Sequence, residues 1–291
     1  MRVLIFGGDG MLGHELLRSW RGRFELRVAL RQEAQAYAHL GLFSPETAHY
    51  GVDVRRLQSV VDAVAQARPD AVINAVGIVK QRPTASESIP SLEVNALFPH
   101  QLAQVCSAAG ARLVTLSTDC VFSGAKGNYT ESDTPDAKDL YGRTKLLGEL
   151  HEPHCLTLRT SIIGLELSRN SSLIEWYLAQ KGAIRGFRRA IYSGLTTAEM
   201  ARAIEFFLLK APDLSGVWHL SSKPINKHDL LQALGERLQR RDLELRPDDD
   251  FVCDRSLDST ALQQRVAYRV PDWAPMLDEL AAAILERKRA A

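Results

Sequence analysis

Features that would direct a chain to a membrane or a nucleic acid are missing from this sequence. It contains no uninterrupted apolar run of about 18 residues, which argues against a membrane-spanning helix. Its 36 basic and 35 acidic residues give a formal net charge of +1. Because positive charge is not in excess, we expect neither a nucleic acid nor an anionic membrane as a partner.

Cysteine is scarce and follows no metal-binding pattern. The four cysteines (Cys106, Cys120, Cys155 and Cys253) have no Cys-x-x-Cys spacing, which argues against a zinc site and a disulfide framework. The N-terminus is an apolar, strand-like run rather than a basic region followed by a hydrophobic signal segment. We therefore expect reduced thiols, a cytoplasmic location and no resident metal ion.

The N-terminal residues predict a cofactor site. The run Met1–Phe6 is typical of a buried parallel strand, and it leads directly into G-G-D-G-M-L-G at positions 7–13. Gly7, Gly10 and Gly13 form a G-x-x-G-x-x-G variant of the dinucleotide fingerprint. Such glycines allow a tight turn and a close approach to a pyrophosphate, and the following helix offers free N–H groups.

The order of apolar and amphipathic segments predicts the fold class. Predicted strands lie at 25–30, 71–74, 113–116, 155–159 and 217–220, and the main predicted helices at 55–67, 92–109, 138–150 and 197–209. This alternation predicts an α/β fold, a Rossmann-type doubly wound parallel sheet with helices on both faces. We expect an NAD(P)-binding domain over residues 1–165 and a smaller mixed α/β substrate lobe over 166–291, with elements that return to the first domain.

A second set of residues predicts redox chemistry at a carbonyl group. Tyr141 and Lys145 are four apart on a predicted helix, so their side chains share one face. An ammonium group beside a phenol favours the phenolate, and we expect Lys145 to lower the pKa of Tyr141. Such a tyrosine can donate a proton to a carbonyl oxygen. Thr118, which ends a predicted strand, offers a hydroxyl for the same oxygen.

Taken in order, these motifs resemble the extended short-chain dehydrogenases/reductases, and within them the dTDP-4-dehydrorhamnose reductase group. The resemblance is dense through about residue 165 and thin afterwards. The matching segments are Gly7–Gly13, Asn74–Gly77, Val94–Asn95, Ser117–Gly124, Tyr141–Glu149 and Leu158–Ser161.

The resemblance implies a role for each matching residue. Tyr141 would be the proton donor, Lys145 would lower its pKa and hold the cofactor ribose, and Thr118 would polarise the substrate carbonyl. Asp119 and Cys120 would line the sugar pocket. The implied cofactor-binding residues are Gly7, Asp9, Gly10, Met11, Leu12, Gly13, Arg31, Asp53, Val54, Ala75, Val76, Gly77, Asn95, Tyr141 and Lys145. For Asn95, the alternative to a cofactor contact is a structural polar contact at the start of a helix.

Two departures from the family pattern fall in the substrate region. The family usually has a tyrosine after Ser-Thr-Asp, where this chain has Cys120. Its usual Ser-Pro-Thr-Tyr segment appears as Ser193-Gly194-Leu195-Thr196. Both changes lie where the sugar would be recognised. They therefore affect the prediction of the sugar more than the prediction of the reaction.

The end of the second strand bears on the choice between NADP and NAD. An acidic residue there would bind the ribose 2′-hydroxyl of NAD, but Leu30 is followed by Arg31. A guanidinium group suits the 2′-phosphate of NADP. We therefore predict NADP(H) as the preferred cofactor and leave NAD(H) open, because Glu33 is also within reach.

Arg185 is a candidate for binding the diphosphate of a nucleotide sugar, because an arginine fork binds phosphate well. A solvated basic turn containing Arg188 and Arg189 is the alternative. We interpret Asp248-Asp249-Asp250 as a solvated loop.

The sequence thus predicts an enzyme that uses NADPH to reduce the 4-keto group of a nucleotide-linked 6-deoxyhexulose for surface polysaccharide synthesis. One alternative is an epimerase of the same superfamily; a dehydratase is disfavoured because Cys120 replaces the second acid it would need. A second is an NADP-binding regulatory subunit resembling that of methionine adenosyltransferase. A homodimer is left open, since nothing in the sequence identifies ligands for the bridging metal found among relatives.

Overall fold

Strand β1 (Arg2–Phe6) lies at the centre of the molecule because both of its faces are apolar. The computed structural model describes residues 1–80, 86–168 and 170–290. Val3 and Ile5 point into one hydrophobic core and Leu4 and Phe6 into another. A strand buried on both faces reads as a continuous apolar run, as predicted.

Among the described residues, the central sheet has seven strands, all parallel. In spatial order they are β3 (Ala48–His49), β2 (Glu25–Ala29), β1, β4 (Ala71–Asn74), β5 (Arg112–Leu116), β6 (Cys155–Arg159) and β11 (Gly216–His219). The strand order reverses between β1 and β4, where Phe6 pairs with both Ala29 and Asn74. Open parallel sheets bind ligands at the carboxyl ends of strands beside such a reversal.

Helices cover both faces of the sheet. On one face α1 (Met11–Ser19) packs against α8 (Thr197–Lys210), and on the other α3 (Leu57–Ala67) packs against α5 (Phe98–Ala109). The short helices are α2 (Ala34–Tyr37), α4 (Ser88–Ser91), α6 (Leu140–Leu147) and α10 (Thr260–Arg265). The predicted doubly wound fold is confirmed.

Small sheets and three helices form a second region with its own apolar core. The paired strands are β7 (Ile162–Ile163) with β10 (Leu195–Thr196), β8 (Gly182–Phe187) with β13 (Leu243–Asp248), and β9 (Ala190–Tyr192) with β12 (Ile225–Asn226) and β14 (Cys253–Asp254). The helices are α7 (Leu173–Ala179), α9 (Lys227–Arg237) and α11 (Trp273–Ala290). Because α8 and β11 pack with the central sheet, the chain crosses between the two regions more than once; the division at residue 165 stays a prediction.

Some predicted bounds were wrong for reasons of packing. Helix α6 begins at Leu140 because the Asp139 carboxylate caps it, accepting Gly142 N at 2.8 Å. It ends before Gly148, where a Cβ would lie 2.0 Å from the Asn95 carbonyl oxygen. The helix predicted at 92–109 starts as a π-helical segment, Leu92–Leu97, and ends at Gly110 in the left-handed region, as expected of a C-cap.

The outer edge of β11 is partly covered by a side chain. The backbone N–H of His219 donates to the Glu131 carboxylate at 2.9 Å. At the opposite edge of the sheet, β3 is only two residues long. No helix in the described part of the chain is both long and apolar enough to cross a membrane.

Candidate active site

The glycine-rich turn lies at the carboxyl end of β1. Gly7 has φ +82°, and its carbonyl accepts Gly10 N at 2.9 Å. A Cβ on Gly13 would lie 2.0 Å from that carbonyl oxygen, so only glycine lets α1 start this close to the turn. Gly10, which caps α1, has no side chain to satisfy the first N–H groups of the helix. The cradle therefore fits the pyrophosphate of a dinucleotide.

The remaining predicted residues of this cofactor region border the same edge of the sheet. A Cβ on Gly7 would lie 3.1 Å from the Ala75 carbonyl, so the loop after β4 closes over the turn. Leu12 is buried in the core, and Val54 and Val76 pack against the core of the other face. Leu12 could therefore contact a cofactor only through its backbone, whereas Val54 and Val76 are partly exposed. Asp9 and Met11 lie in the turn and at the start of α1.

At the end of β2, Arg31 lies near Asp53. The Asp53 carboxylate accepts two bonds from the Arg55 guanidinium, at 2.6 and 3.0 Å. The pKa of Asp53 falls to about 2, mainly through Arg55, with a smaller effect from the charge of Arg31. Arg31 itself is exposed. Glu33, the acidic alternative, is placed against Gly51, where a Cβ would meet its Oε1 at 2.9 Å.

Asn95 clamps the loop after β4 to the helix that bears Tyr141. Its Oδ1 accepts Ile78 N at 2.9 Å, and its Nδ2 donates to the Ile78 carbonyl at 3.0 Å and to Thr144 Oγ1 at 3.2 Å. Its side chain also lies 3.5 Å from where a Cβ on Gly77 would be. The amide of Asn95 is therefore occupied by the protein, and its predicted role toward the cofactor would be indirect.

Thr118, Asp119 and Cys120 directly follow β5 at its carboxyl end. Thr118 Oγ1 donates to Asp119 Oδ1 at 3.1 Å and accepts Cys120 N at 3.1 Å. Burial raises the pKa of Asp119, and the nearby Cys120 and Arg255 oppose that shift. Burial also raises the pKa of the Cys120 thiol to about 12, so it is neutral at physiological pH.

Tyr141 lies against this segment. Burial raises the pKa of its phenol, the neighbouring Cys120 and Asp119 raise it further, and the nearby Thr118 hydroxyl opposes the rise. The Lys80 ammonium lies 5.8 Å from the Tyr141 ring centroid and is paired with Asp139 at 2.7 Å. The structure thus brings the predicted Thr118 and Tyr141 together.

The expected net fall in the pKa of Tyr141 beside Lys145 was wrong. Lys145 Nζ donates to the Leu116 carbonyl at 2.5 Å, at the end of β5. Burial lowers the pKa of Lys145 to about 8, against an opposing effect of Glu149. Because burial of the phenol outweighs its neighbours, the pKa of Tyr141 rises rather than falls, and Tyr141 stays protonated at neutral pH.

A buried ion pair fixes the ends of these elements. The Arg159 guanidinium donates to both carboxylate oxygens of Glu149, at 2.8 and 2.7 Å, and both side chains are less than a tenth exposed. Glu149 Oε1 also accepts Ser117 Oγ at 2.6 Å, and Arg159 Nη1 lies 3.3 Å from His219 Nε2. In the sequence, Glu149 and Arg159 are visible only as members of the matching segments Tyr141–Glu149 and Leu158–Ser161, and their pairing follows from tertiary contacts.

The structure explains one departure from the family pattern. A Cβ on Gly194 would lie 2.0 Å from the Tyr192 hydroxyl and 2.3 Å from the Ser161 carbonyl. Gly194 therefore makes room for the phenol of Tyr192, which is buried near Asp119.

The surroundings of Arg185 differ from those expected of a substrate-binding arginine. It lies on β8, with its side chain 64% exposed, and forms an ion pair with Asp248 on β13. Arg188 is paired with Asp249 in the same way. Asp248 therefore lies on a strand rather than in the predicted solvated loop, whereas Asp249 and Asp250 follow that strand and are exposed. Binding of substrate by Arg185 stays a prediction.

Within the described ranges, no group of three metal-binding side chains is placed to hold an ion. The free cysteines Cys106 and Cys155 are buried, and Cys120 and Cys253 are partly so.

The doubly wound sheet, the glycine turn and the Thr118–Tyr141–Lys145 set define an extended short-chain dehydrogenase/reductase. The family model described as "RmlD substrate binding domain" matches residues 1–284, and the chain belongs to this family.

Its relatives include proteins of two kinds. The chain is 27% identical over 312 residues to the dTDP-4-dehydrorhamnose reductase of Escherichia coli (strain K12), covering 96% of this chain and 98% of that protein. It is 30% identical over 150 residues to methionine adenosyltransferase 2 subunit beta of Rattus norvegicus, covering 51% of this chain and only 41% of that subunit. The solved structure of a hypothetical dTDP-4-dehydrorhamnose reductase from Sulfolobus tokodaii is similar at a TM-score of 0.76 and 25% identity, covering 94% and 98% of the two chains.

The buried ion pair predicts a large stability effect. Arg159→Leu leaves Glu149 buried without its partner, so we expect the free energy of unfolding to fall by about 3–5 kcal/mol, measured by urea denaturation. Replacing both residues by leucine should recover much of the loss. As a control, Arg2→Ala breaks the exposed Arg2–Asp70 pair and should cost less than about 1 kcal/mol. An equally small loss for Arg159→Leu would contradict the role of the pair.

Lys145 predicts a pH dependence of stability. Its pKa is lowered by burial from 10.5 to about 8, so between these values the unfolded chain binds more protons and stability rises with pH. We expect Lys145→Met to be more stable than wild type at pH 7, with an advantage that shrinks from about pH 8 upward. Urea unfolding across this range measures it, with the exposed Lys210→Met as control. A pH-independent difference would contradict the lowered pKa.

Proposed function

We propose that this protein is an NAD(P)-dependent oxidoreductase that reduces the 4-keto group of a nucleotide-linked 6-deoxyhexulose, with NADPH as the preferred cofactor. The observation that carries the proposal is the packing of the Tyr141 helix on the Thr118–Cys120 segment, where a Cβ on Gly142 would lie 2.1 Å from the Cys120 carbonyl oxygen, at the same carboxyl edge of the sheet as the glycine turn. The product would be an activated 6-deoxysugar for surface polysaccharide. The proposed sugar is rhamnose or a relative such as an N-acetylated 6-deoxyhexose, since Cys120 and the segment 193–196 depart from the family pattern.

The proposed chemistry assigns each polar group a task. A reduced nicotinamide supplies a hydride when it is bound. Thr118 Oγ1 holds the substrate carbonyl oxygen by a hydrogen bond and so orients the carbon that is reduced. Tyr141 donates its proton to that oxygen, a role that suits a phenol with a raised pKa because it is protonated before reaction.

Lys145 joins the Tyr141 helix to the end of β5 and contributes a positive charge to the site. Its ammonium is fixed on the Leu116 carbonyl, directly before Ser117 and Thr118. A pKa of about 8 leaves it mostly protonated at neutral pH. The positive charge then favours the phenolate that Tyr141 becomes after proton transfer.

A regulatory subunit is the second candidate function, favoured by the 30% identity to methionine adenosyltransferase 2 subunit beta over 150 residues. It predicts NADPH binding and a protein partner without turnover. Oxidation of NADPH at 340 nm against dTDP-, UDP- and GDP-linked 4-keto-6-deoxysugars, with NADH in parallel, separates the two. Turnover on one nucleotide supports the reductase. Tight NADPH binding with no turnover on any of them favours either a different carbonyl substrate or the regulatory subunit, and a partner pull-down identifies the latter.

Tyr141→Phe tests the proton donor. We expect NADPH to bind as before, while turnover falls by roughly two to four orders of magnitude, the usual scale for loss of a general acid. Tyr177→Phe, a buried tyrosine on α7, is the matched control and should turn over normally. Near-full activity of Tyr141→Phe would remove the assigned proton donor.

Arg31→Ala tests the cofactor preference. We expect it to weaken NADPH binding by about ten- to a hundredfold and NADH binding little, because charge-assisted bonds to the 2′-phosphate are lost. Fluorescence titration with each cofactor measures this, with the exposed Arg21→Ala as control. Equal effects on both cofactors would contradict a preference set by Arg31.

A further inference from the structure

Arg255 directly follows β14 and is held in place by its backbone neighbours. Asp254 N donates to the Gly124 carbonyl at 2.8 Å, and the Ser256 carbonyl accepts Tyr129 N at 2.9 Å. These bonds join the chain around Arg255 to the loop that leads away from Thr118–Cys120. Arg255 therefore belongs to the candidate active site although it lies far from it in sequence.

The guanidinium group is also fixed. Its Nε donates to the Phe122 carbonyl at 2.8 Å and its Nη2 to the Ser123 carbonyl at 3.3 Å. Its stem packs on Gly124, where a Cβ would lie 3.1 Å from Arg255 Cγ. A side chain held in this way loses little freedom when it binds a ligand.

Three of the five N–H groups of the Arg255 guanidinium make no hydrogen bond to the described part of the protein. A guanidinium has five N–H groups, of which the two carbonyls take two. Among the described residues, no carboxylate lies within 4 Å of it, whereas Lys80 on the same side of the site is paired with Asp139. A partly buried charge normally has a partner, so the free N–H groups of Arg255 are available to one.

The charges around Arg255 favour an anion as that partner. The positive charge of Arg255 acts on three groups: Asp119, Cys120 and Asp139. The same three groups also influence the pKa of Tyr141. Without a cation, the negative charge of Asp139 and of an ionised Asp119 would repel a negatively charged substrate. Arg185, the arginine predicted for this task, is already paired with Asp248 on an exposed sheet.

We propose that Arg255 binds an anionic group of the substrate next to Thr118 and Tyr141 and so selects for anionic sugar substrates. This inference rests on the proposed reduction of a nucleotide sugar. The shared chemistry is an oxyanion that accepts two parallel N–H bonds, as phosphate and carboxylate groups do. The anion is either the diphosphate of the nucleotide or a carboxylate on the sugar.

The test uses NADPH-saturated enzyme, so that the glycine turn is occupied. Arg255→Ala and Arg255→Lys are compared with wild type and with Arg246→Ala, an exposed arginine paired with Glu244 in the same region. Calorimetric titration with UDP, dTDP and inorganic pyrophosphate measures anion binding directly. Steady-state kinetics with neutral and carboxylate-bearing 4-keto sugar nucleotides separates KM from kcat.

We expect Arg255→Ala to raise KM by about ten- to a hundredfold, with kcat nearly unchanged, because charge-assisted bonds made before reaction are lost. Arg255→Lys keeps the charge without the planar fork and should fall in between. Weaker binding of UDP, dTDP and pyrophosphate identifies the diphosphate as the anion. Unchanged binding of these, with a raised KM only for carboxylate-bearing sugars, identifies the sugar carboxylate.

The inference is overturned if both Arg255 variants match Arg246→Ala in every titration and every KM. If wild type turns over no 4-keto sugar, the proposed function fails, and the titrations still decide the role of Arg255. Loss of anion binding on Arg255→Ala then supports the anion site without the reductase. Absence of binding of all three anions in wild type, together with an unchanged KM for carboxylate-bearing sugars in Arg255→Ala, overturns it as well.

Discussion

The candidate site depends on the buried ion pair between Arg159 and Glu149. It joins the ends of β5, β6, α6 and β11 through Ser117 and His219. Thr118 follows directly on Ser117, and Tyr141 lies on the helix that leads into Glu149. Since two buried charges satisfy each other only in a narrow geometry, the pair fixes the distance between the strand that supplies the hydroxyl and the helix that supplies the phenol.

Around this anchor, burial rather than charge pairing sets the protonation states. The phenol of Tyr141 and the thiol of Cys120 are kept neutral, while the ammonium of Lys145 is pushed toward losing its proton. A neutral donor with a cation one helical turn away can release a proton and then be stabilised as an anion. These protonation states are compatible with the proton transfer that we propose for Tyr141.

The sequence predicted the parts whose signals are local. The apolar run before Gly7, the strands Ala71–Asn74 and Cys155–Arg159, and the cap at Gly110 follow from patterns of a few residues. Tertiary contacts decided the rest. The pairing of Arg185 with Asp248 joins strands far apart in sequence. Arg255 is brought to the site by backbone hydrogen bonds of its neighbours, which no sequence motif marks. The pKa of Tyr141 depends on burial, which residue spacing on a helix does not reveal.

The edges of the central sheet bear on how this protein behaves at high concentration. Exposed strand edges are templates on which further chains can add, and natural proteins shorten or block them. Here one edge strand has two residues, and at the other the Glu131 carboxylate occupies the outward N–H of His219. Glu131 therefore blocks one of the positions at which an added strand could hydrogen-bond to β11.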